Sequence, residues 1–316
     1  MKNRILAAFV LFTRTDPRAG GDQVPNHFVN KYADDVTLAM QQTQSRLQPT
    51  VIEMCGIVGA SAAVDFIGTT EASQVTTRFQ DLQSVNSPHT RRWVDLADFD
   101  WFDYIDSFDK LKILTDPTNK YVTGAVSAHN RQKDRLIIAA LGGNAREQTG
   151  VGNGGTSQYV ALPAGQKVAV GGTNITLAKI RTAIELLNKA EASSPEEGGE
   201  RFFLYTANQL TKLMADTTVT SSDYNTLRAL QNFQVDTFMG MKWIRTELLP
   251  KSGNNRACYI YGKDYVTLGC GMDIINDVSV NKSKRGFPVQ VYSMQSLGAV
   301  RNQDTGVVEI MCDETA

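Results

Sequence analysis

Residues 115–143 constrain this chain more than any other stretch. Thr115 and Asp116 precede Pro117. An Asp side chain can accept hydrogen bonds from the free amides of a helix start, and Pro is tolerated at the first helical position because its missing N–H has no partner there anyway. The spacing predicts a helix over 117–141, through YVTGAVSAHNRQKDRLIIAAL, until Gly142 and Gly143 stop it. At about 1.5 Å per residue it is roughly 37 Å long, close to the span of a whole small domain. His129 lies on it with no second His or carboxylate at i+4, so a packed or solvated role is expected rather than a ligand.

The rest of the chain divides around that helix. With 316 residues it exceeds the usual single core of roughly 100 to 200 residues, so two lobes are expected. Residues 1–25 lack periodicity and are broken by Pro17, Gly20, Gly21 and Pro25, which predicts an arm. From Asn26 to Leu47, Phe28, Val29, Tyr32, Val36, Ala39 and Met40 recur at helical spacing and predict an amphipathic helix ended by Pro49. Residues 50–94 alternate, in AVDFIG and HTRRWVDL, as two strands separated by polar loop. Such an excursion cannot bury both faces within one subunit.

Further along, ITLAKIRTAIELLNKAE predicts a helix over 175–191 with Ile180, Ala183, Ile184 and Leu187 on one face. RFFLYT then reads as a buried strand and 207–215 as a short helix. This alternation predicts a second α/β lobe over 160–250, inserted into the first. From Ala257 the strands YIYG, YVTLG and the terminal pair are expected to return to the first lobe.

Two segments invite chemical readings. In DLADFDWFDYIDSFDK, residues 95–110, Asp100, Asp103, Asp106 and Asp109 recur every third residue, as do Phe99, Phe102, Ile105 and Phe108. On a helix this gives an acidic stripe beside an apolar one. A calcium loop needs oxygen ligands at alternating positions and a Gly at the sixth, and aromatics fill those gaps, so a solvated or partner-facing stripe is expected. The glycine-rich stretch 142–158 is expected to be irregular. Gly150, Gly152 and Gly155 satisfy GxGxxG, yet a dinucleotide fingerprint needs a strand before it and a helix directly after, and here a helix precedes and strand-like residues follow from Tyr159.

Composition narrows the function classes. Apolar residues make up 42% and charged residues 21%, as in ordinary globular chains. A net charge of -1 argues against a dedicated nucleic-acid binder, which needs an excess of Lys and Arg on one face. Cys55, Cys258, Cys270 and Cys312 form no CxxC pair and are expected to be buried free thiols. The opening MKNRILAAFVLFTR has a short apolar run but no clean cleavage site, so export is not expected. His27, His89 and His129 sit in no HExxH, and GxSxG and GxxxxGK[ST] are absent. No catalytic residue, metal site or cofactor is predicted.

Residues 217–250, TTVTSSDYNTLRALQNFQVDTFMGMKWIRTELLP, pass from a Ser/Thr run to Asp223 and Tyr224, an apolar-spaced segment, an aromatic-Met-Gly turn, a strand-like KWIRTELL and Pro250. The chain closes with VQVYSMQSLGAVRNQDTGVVEIMCDE, two strands around Gly298, Ala299 and Arg301. This layout resembles the tailed-bacteriophage major capsid proteins, the Hong Kong 97-like family. With the acidic segment and the long helix, the resemblance spans most of residues 25–314.

It implies a mixed α/β (α+β) fold. An N-terminal arm and helix would occupy 1–49, and an extended two-stranded loop over 50–94 would reach across a neighbouring subunit. A peripheral domain with a spine helix would follow over 95–159, then an axial domain over 160–250, with 251–316 returning to the peripheral domain. The implied function is structural. Copies would form pentamers and hexamers of an icosahedral head in the virion, assembled in the host cytoplasm and enclosing double-stranded DNA without sequence-specific binding. Portal, scaffolding or decoration proteins would be further partners, and no membrane is involved. Arg78, Arg91 and Arg92 are the charges the loop would carry, and Asp98, Asp100, Asp103, Asp106 and Asp109 the groups expected to meet them on an adjacent subunit. Simply solvated arginines are the competing reading. An encapsulin-like nanocompartment shell and a small-molecule enzyme with a nonstandard site are the alternative functions.

Overall fold

The computed structural model describes residues 38–75, 77–78, 81, 84–85, 87–106, 118–149, 156–193, 198–215 and 236–315. The long helix is α1 (Thr118–Gly142), with Ala125, Ile137, Ile138 and Leu141 buried along it. It packs against a four-stranded sheet in the order β1 (Ile52–Cys55), β13 (Val266–Val280), β14 (Val289–Arg301), β4 (Ala97–Ile105). β1 runs parallel to β13, and the other neighbours are antiparallel. The residues expected to cap its start, Thr115 to Pro117, lie outside the described residues.

A second sheet has the order β7 (Lys167–Val168), β15 (Val307–Asp313), β12 (Asn255–Gly262), β8 (Arg201–Tyr205), β10 (Met241–Arg245), β9 (Thr237–Phe238), with β11 (Lys251–Ser252) paired to β12. All five residues of β8 are buried, as the apolar RFFLY predicts for a strand covered on both faces. Helix α2 (Leu177–Lys189) buries Ile180, Ala183 and Leu187, and the Thr176 side chain accepts from the Lys179 amide at 3.3 Å, a side-chain N-cap. Helix α3 (Ala207–Ala215) follows β8 and leads to the parallel β10. Phe203 and Trp243 meet edge to face with centroids 4.6 Å apart, a preferred aromatic geometry.

The third sheet is the hairpin β2 (Ser61–Ile67) and β3 (His89–Asp95), extended at its root by β5 (Ala145–Thr149) and β6 (Thr156–Val160). β3 pairs with β5 only from Arg91 to Trp93, so the outer part of the hairpin is two-stranded. Where β3 turns into β4 the chain crosses the first sheet closely. A Cβ on Gly298 would lie 2.2 Å from the Asp95 carbonyl oxygen, and one on Gly269 2.6 Å from Val94 Cγ1. At Gly298 the obstacle is backbone, whereas at Gly269 the Val94 and Ile57 side chains would have to shift.

Four expectations are corrected. Residues 38–47 are not helical; they run along α1 because Asp134, fully buried, accepts from Ser45 Oγ (2.5 Å) and from the amides of Arg46 and Leu47 (3.2 Å each). The remainder of the predicted N-terminal helix, and the arm before it, lie outside the described residues. The acidic segment is strand rather than helix: β4 pairs residue for residue with β14, from Ala97 opposite Leu297 to Ile105 opposite Val289. Its Trp, Phe, Tyr and Ile suit a half-buried pleated surface. The glycine-rich stretch is ordered at both ends as β5 and β6, so Gly150, Gly152 and Gly155 join two strands and no helix follows them. Finally, YIYG and the last strand belong to the second sheet, where β12 lies between β8 and β15. The chain returns to the first sheet only for β13 and β14.

Candidate assembly surface and its anchor

Arg301, at the end of β14, is fully buried. Its Nη1 donates to the carbonyls of Leu141 (2.9 Å), Gly143 (2.8 Å) and Ala140 (3.3 Å), and Nη2 to that of Val160 (3.3 Å). The last carbonyls of a helix have no intrahelical partner, and a cation there also opposes the negative end of the helix dipole. Arg301 therefore closes α1. Its Nε donates to Asp304 at 2.6 Å.

Asp304 also takes both terminal nitrogens of Arg92, at 2.9 and 2.8 Å, while Arg92 reaches the Arg301 carbonyl (2.9 Å) and Glu147 (3.1 Å). Burial works to raise the Asp304 carboxyl, and the hydrogen bonds and charges of the two arginines outweigh it, holding the group below the usual carboxylate range. For Arg92 burial likewise opposes the charge, and Asp304 and Glu147 overcome it. Two arginines and two carboxylates thus tie the hairpin root to the long helix and its sheet.

The surface groups predicted from sequence separate into distinct environments. Arg92 is corrected: its charge is consumed inside the subunit and is not available to a neighbour. Arg91 is half-exposed and pairs with Asp65 directly across the hairpin, with Nη2 2.9 Å from Oδ2. That pair holds the Asp65 carboxyl below its ordinary value. Arg78 is exposed on the segment beyond β2. In β4 the two-residue period divides the aspartates: Asp98 and Asp100 share a face, Asp103 lies on the other with Ile105, and no single acidic stripe forms. Asp98 and Asp100 are exposed, while Asp103 and Asp106 are half-buried. Burial raises the Asp103 carboxyl. Asp109 lies outside the described residues. Sequence reasoning picked out Arg301 and Arg92 but missed Asp304, which receives both, and Glu147, which receives Arg92; no local spacing marks either carboxylate.

Large apolar side chains are exposed along the same sheet and hairpin: Met272, Ile275, Val278 and Val280 on β13, Phe102 on β4, Ile67 at the end of β2 and Val75 beyond it. Four of them lie along one strand, β13. His129 is packed inside against β14, where burial pushes the imidazole below its usual range. Among the described residues, no three His, Cys, Asp or Glu side chains are placed to hold a metal. No helix among them is long and apolar enough to cross a membrane.

This architecture is shared with solved phage shells. The fold is similar to that in the capsid of the cyanophage P-SCSP1u, at 15% identity and a TM-score of 0.67, covering 92% of this chain and 94% of that one. It is similar to the capsid of Ralstonia phage GP4, at 11% identity and TM-score 0.69, covering 97% and 98%. The cyanophage Pam1 capsid matches at 12% identity and TM-score 0.68, covering 98% and 99%. The structure thus has the fold of phage capsid subunits. The family model described as phage capsid protein matches residues 24–314, and the chain belongs to that family. No curated protein matches it in sequence.

Proposed function

We propose that this capsid-family chain is the major head subunit of a tailed bacteriophage, a structural protein without enzymatic activity. Its copies form pentamers and hexamers of an icosahedral shell around double-stranded DNA, assembled in the host cytoplasm. The lobe of α1 and the long sheet corresponds to the peripheral domain, and the lobe of the second sheet to the axial domain. The observation that carries this reading is the hairpin β2–β3, which leaves its subunit as a two-stranded ribbon with Ile67 exposed and Arg91 half-exposed while its root is held by buried ion pairs. A ribbon that is rigid at its base and unburied along its length suits contact with another copy.

On that surface Arg78 and Arg91 meet the acidic groups of an adjacent subunit, with Asp98, Asp100, Asp103, Asp106 and Asp109 as the candidates. Such pairing sets register more than affinity. Portal, scaffolding and decoration proteins are the remaining partners. The chain expressed alone, examined by size-exclusion chromatography and negative-stain electron microscopy, is expected to give closed shells or rings of five and six. Exchange of Arg78 and Arg91 to Glu is expected to abolish particles while leaving a folded subunit, and an undiminished particle yield would overturn the charge-pairing part.

A further inference from the structure

The four cysteines, scattered in sequence, come together in space as two pairs. Cys258 and Cys312 are buried on neighbouring strands of the second sheet, two positions apart in register. Cys55 and Cys270 are different. They are register partners in the parallel ladder of β1 and β13, and their side chains are within hydrogen-bonding reach. Cys55 is exposed and Cys270 half-buried, contrary to the expectation of buried thiols.

Neighbouring strands lie about 4.8 Å apart, inside the window of about 4.4 to 6.8 Å between Cα atoms that a disulfide needs. Partners in a ladder also point to the same face. The backbone on both sides can adjust: Gly56 follows Cys55 at φ +79°, Gly269 and Gly271 flank Cys270, and the register of β13 shifts directly after Cys270. A small cavity of about 50 Å³ opens beside the two sulfurs, lined also by Glu53, Lys133 and Asp273. Lys133 pairs with Asp273 at 3.3 Å, and burial, with Cys55 and Asp273 beside it, holds the Cys270 thiol above its usual range, so Cys270 is the resolving and not the attacking thiol.

We propose that Cys55 and Cys270 form a thiol–disulfide switch that low-molecular-weight disulfides such as glutathione disulfide can close. The exposed Cys55 loses its proton to solvent and its thiolate attacks one glutathione sulfur. The glutathione S–S bond breaks, and the first glutathione leaves as a thiolate that takes up a proton. Cys270 then gives up its proton to water, its thiolate attacks the Cys55 sulfur of the mixed disulfide, and the second glutathione leaves as a thiolate that takes up a proton. Two cysteine sulfurs are oxidised and one glutathione disulfide is reduced to two thiols. The bond staples β1, an edge strand held by four residue pairs, to the centre of its sheet. Because β1 leads directly into the hairpin, the staple fixes the hairpin's entry. It does not depend on the assembly reading.

The test uses the full chain incubated with glutathione disulfide, blocked with N-ethylmaleimide under denaturing conditions, and mapped by mass spectrometry without reduction. The expected result is a linked peptide pair containing Cys55 and Cys270, lighter than the two thiols by two hydrogens, with Cys258 and Cys312 still alkylated. Cys270→Ser is expected to stop at a stable glutathione adduct on Cys55, and Cys55→Ser to give neither adduct nor link. Oxidation should raise the Tm of the parent by roughly 5 °C or more and leave both Ser variants unmoved. A parent that accumulates the Cys55 adduct without the internal link, or links Cys55 between subunits, overturns the proposal, as do persistent thiols at both positions.

Discussion

Arg92, in the middle of the hairpin's inner strand, donates both terminal nitrogens to Asp304, at 2.9 and 2.8 Å, across a separation of more than two hundred residues. The same carboxylate receives Arg301, which closes the long helix. One acidic side chain therefore joins three elements that the chain visits at quite different times.

Removing one member of this group leaves buried charges without a counterion, which costs more than the intact group contributes. Arg92→Leu is expected to lower stability by about 3 kcal/mol or more, read from urea unfolding. Arg91→Leu, one strand position away but solvated, is expected to lie within about 1 kcal/mol of the parent. Equal losses in the two variants would contradict the assignment.

Stability toward acid follows from Glu314 and Asp304. Burial of the Glu314 carboxyl opposes its ionisation, and Arg256 (2.8 Å) and Lys251 (2.5 Å) overcome this, bringing it down to about 2. A carboxylate with a folded value below its unfolded one contributes stability that is complete above the unfolded value, about 4.3, and is lost as pH falls through the folded one. Unfolding free energy is therefore expected to decline between about pH 4.5 and 2. Glu314→Gln should be less stable at pH 7 and show a shallower decline over that window, measured by denaturant titration at each pH.

Asp134 holds residues 42–47 on the long helix by accepting two backbone amides and a hydroxyl. Asp134→Ala strips these donors of their partner and is expected to cost about 2 kcal/mol. The local signature is faster hydrogen exchange at the Arg46 and Leu47 amides, with the amides of α2 unaffected.

At Gly298 the close crossing leaves no room for a methyl group, since the Asp95 carbonyl is backbone and cannot rotate away. Gly298→Ala is expected to destabilise by about 1 to 3 kcal/mol. A Tm equal to the parent's would show that the crossing relaxes freely.

What the sequence made legible was local. The long helix appears as Thr118–Gly142 against a predicted 117–141, and α2, α3 and β8 follow their apolar patterns. The acidic segment was misread because a three-residue repeat satisfies a helical stripe, while its aromatics favour a strand once β14 lies alongside. Leu297 to Val289, almost two hundred residues later, supplies that partner. The same limit hid Asp304 and Glu147 from Arg92, and paired Cys55 with Cys270 only through strand register. The second sheet took β12 and β15 because β8 needs a neighbour on its other side, a requirement of the sheet and not of either segment.

The ionic joint at Arg92 also has a mechanical meaning. The sheet that carries the hairpin is four-stranded up to Arg91 and two-stranded beyond it. A sideways load on the hairpin's outer end is therefore borne by a cantilever whose bearing is the Arg92–Asp304–Arg301 contact. Bending concentrates in the thin outer ribbon, and force that reaches the bearing passes into the C-terminal end of the long helix, the stiffest member of the molecule.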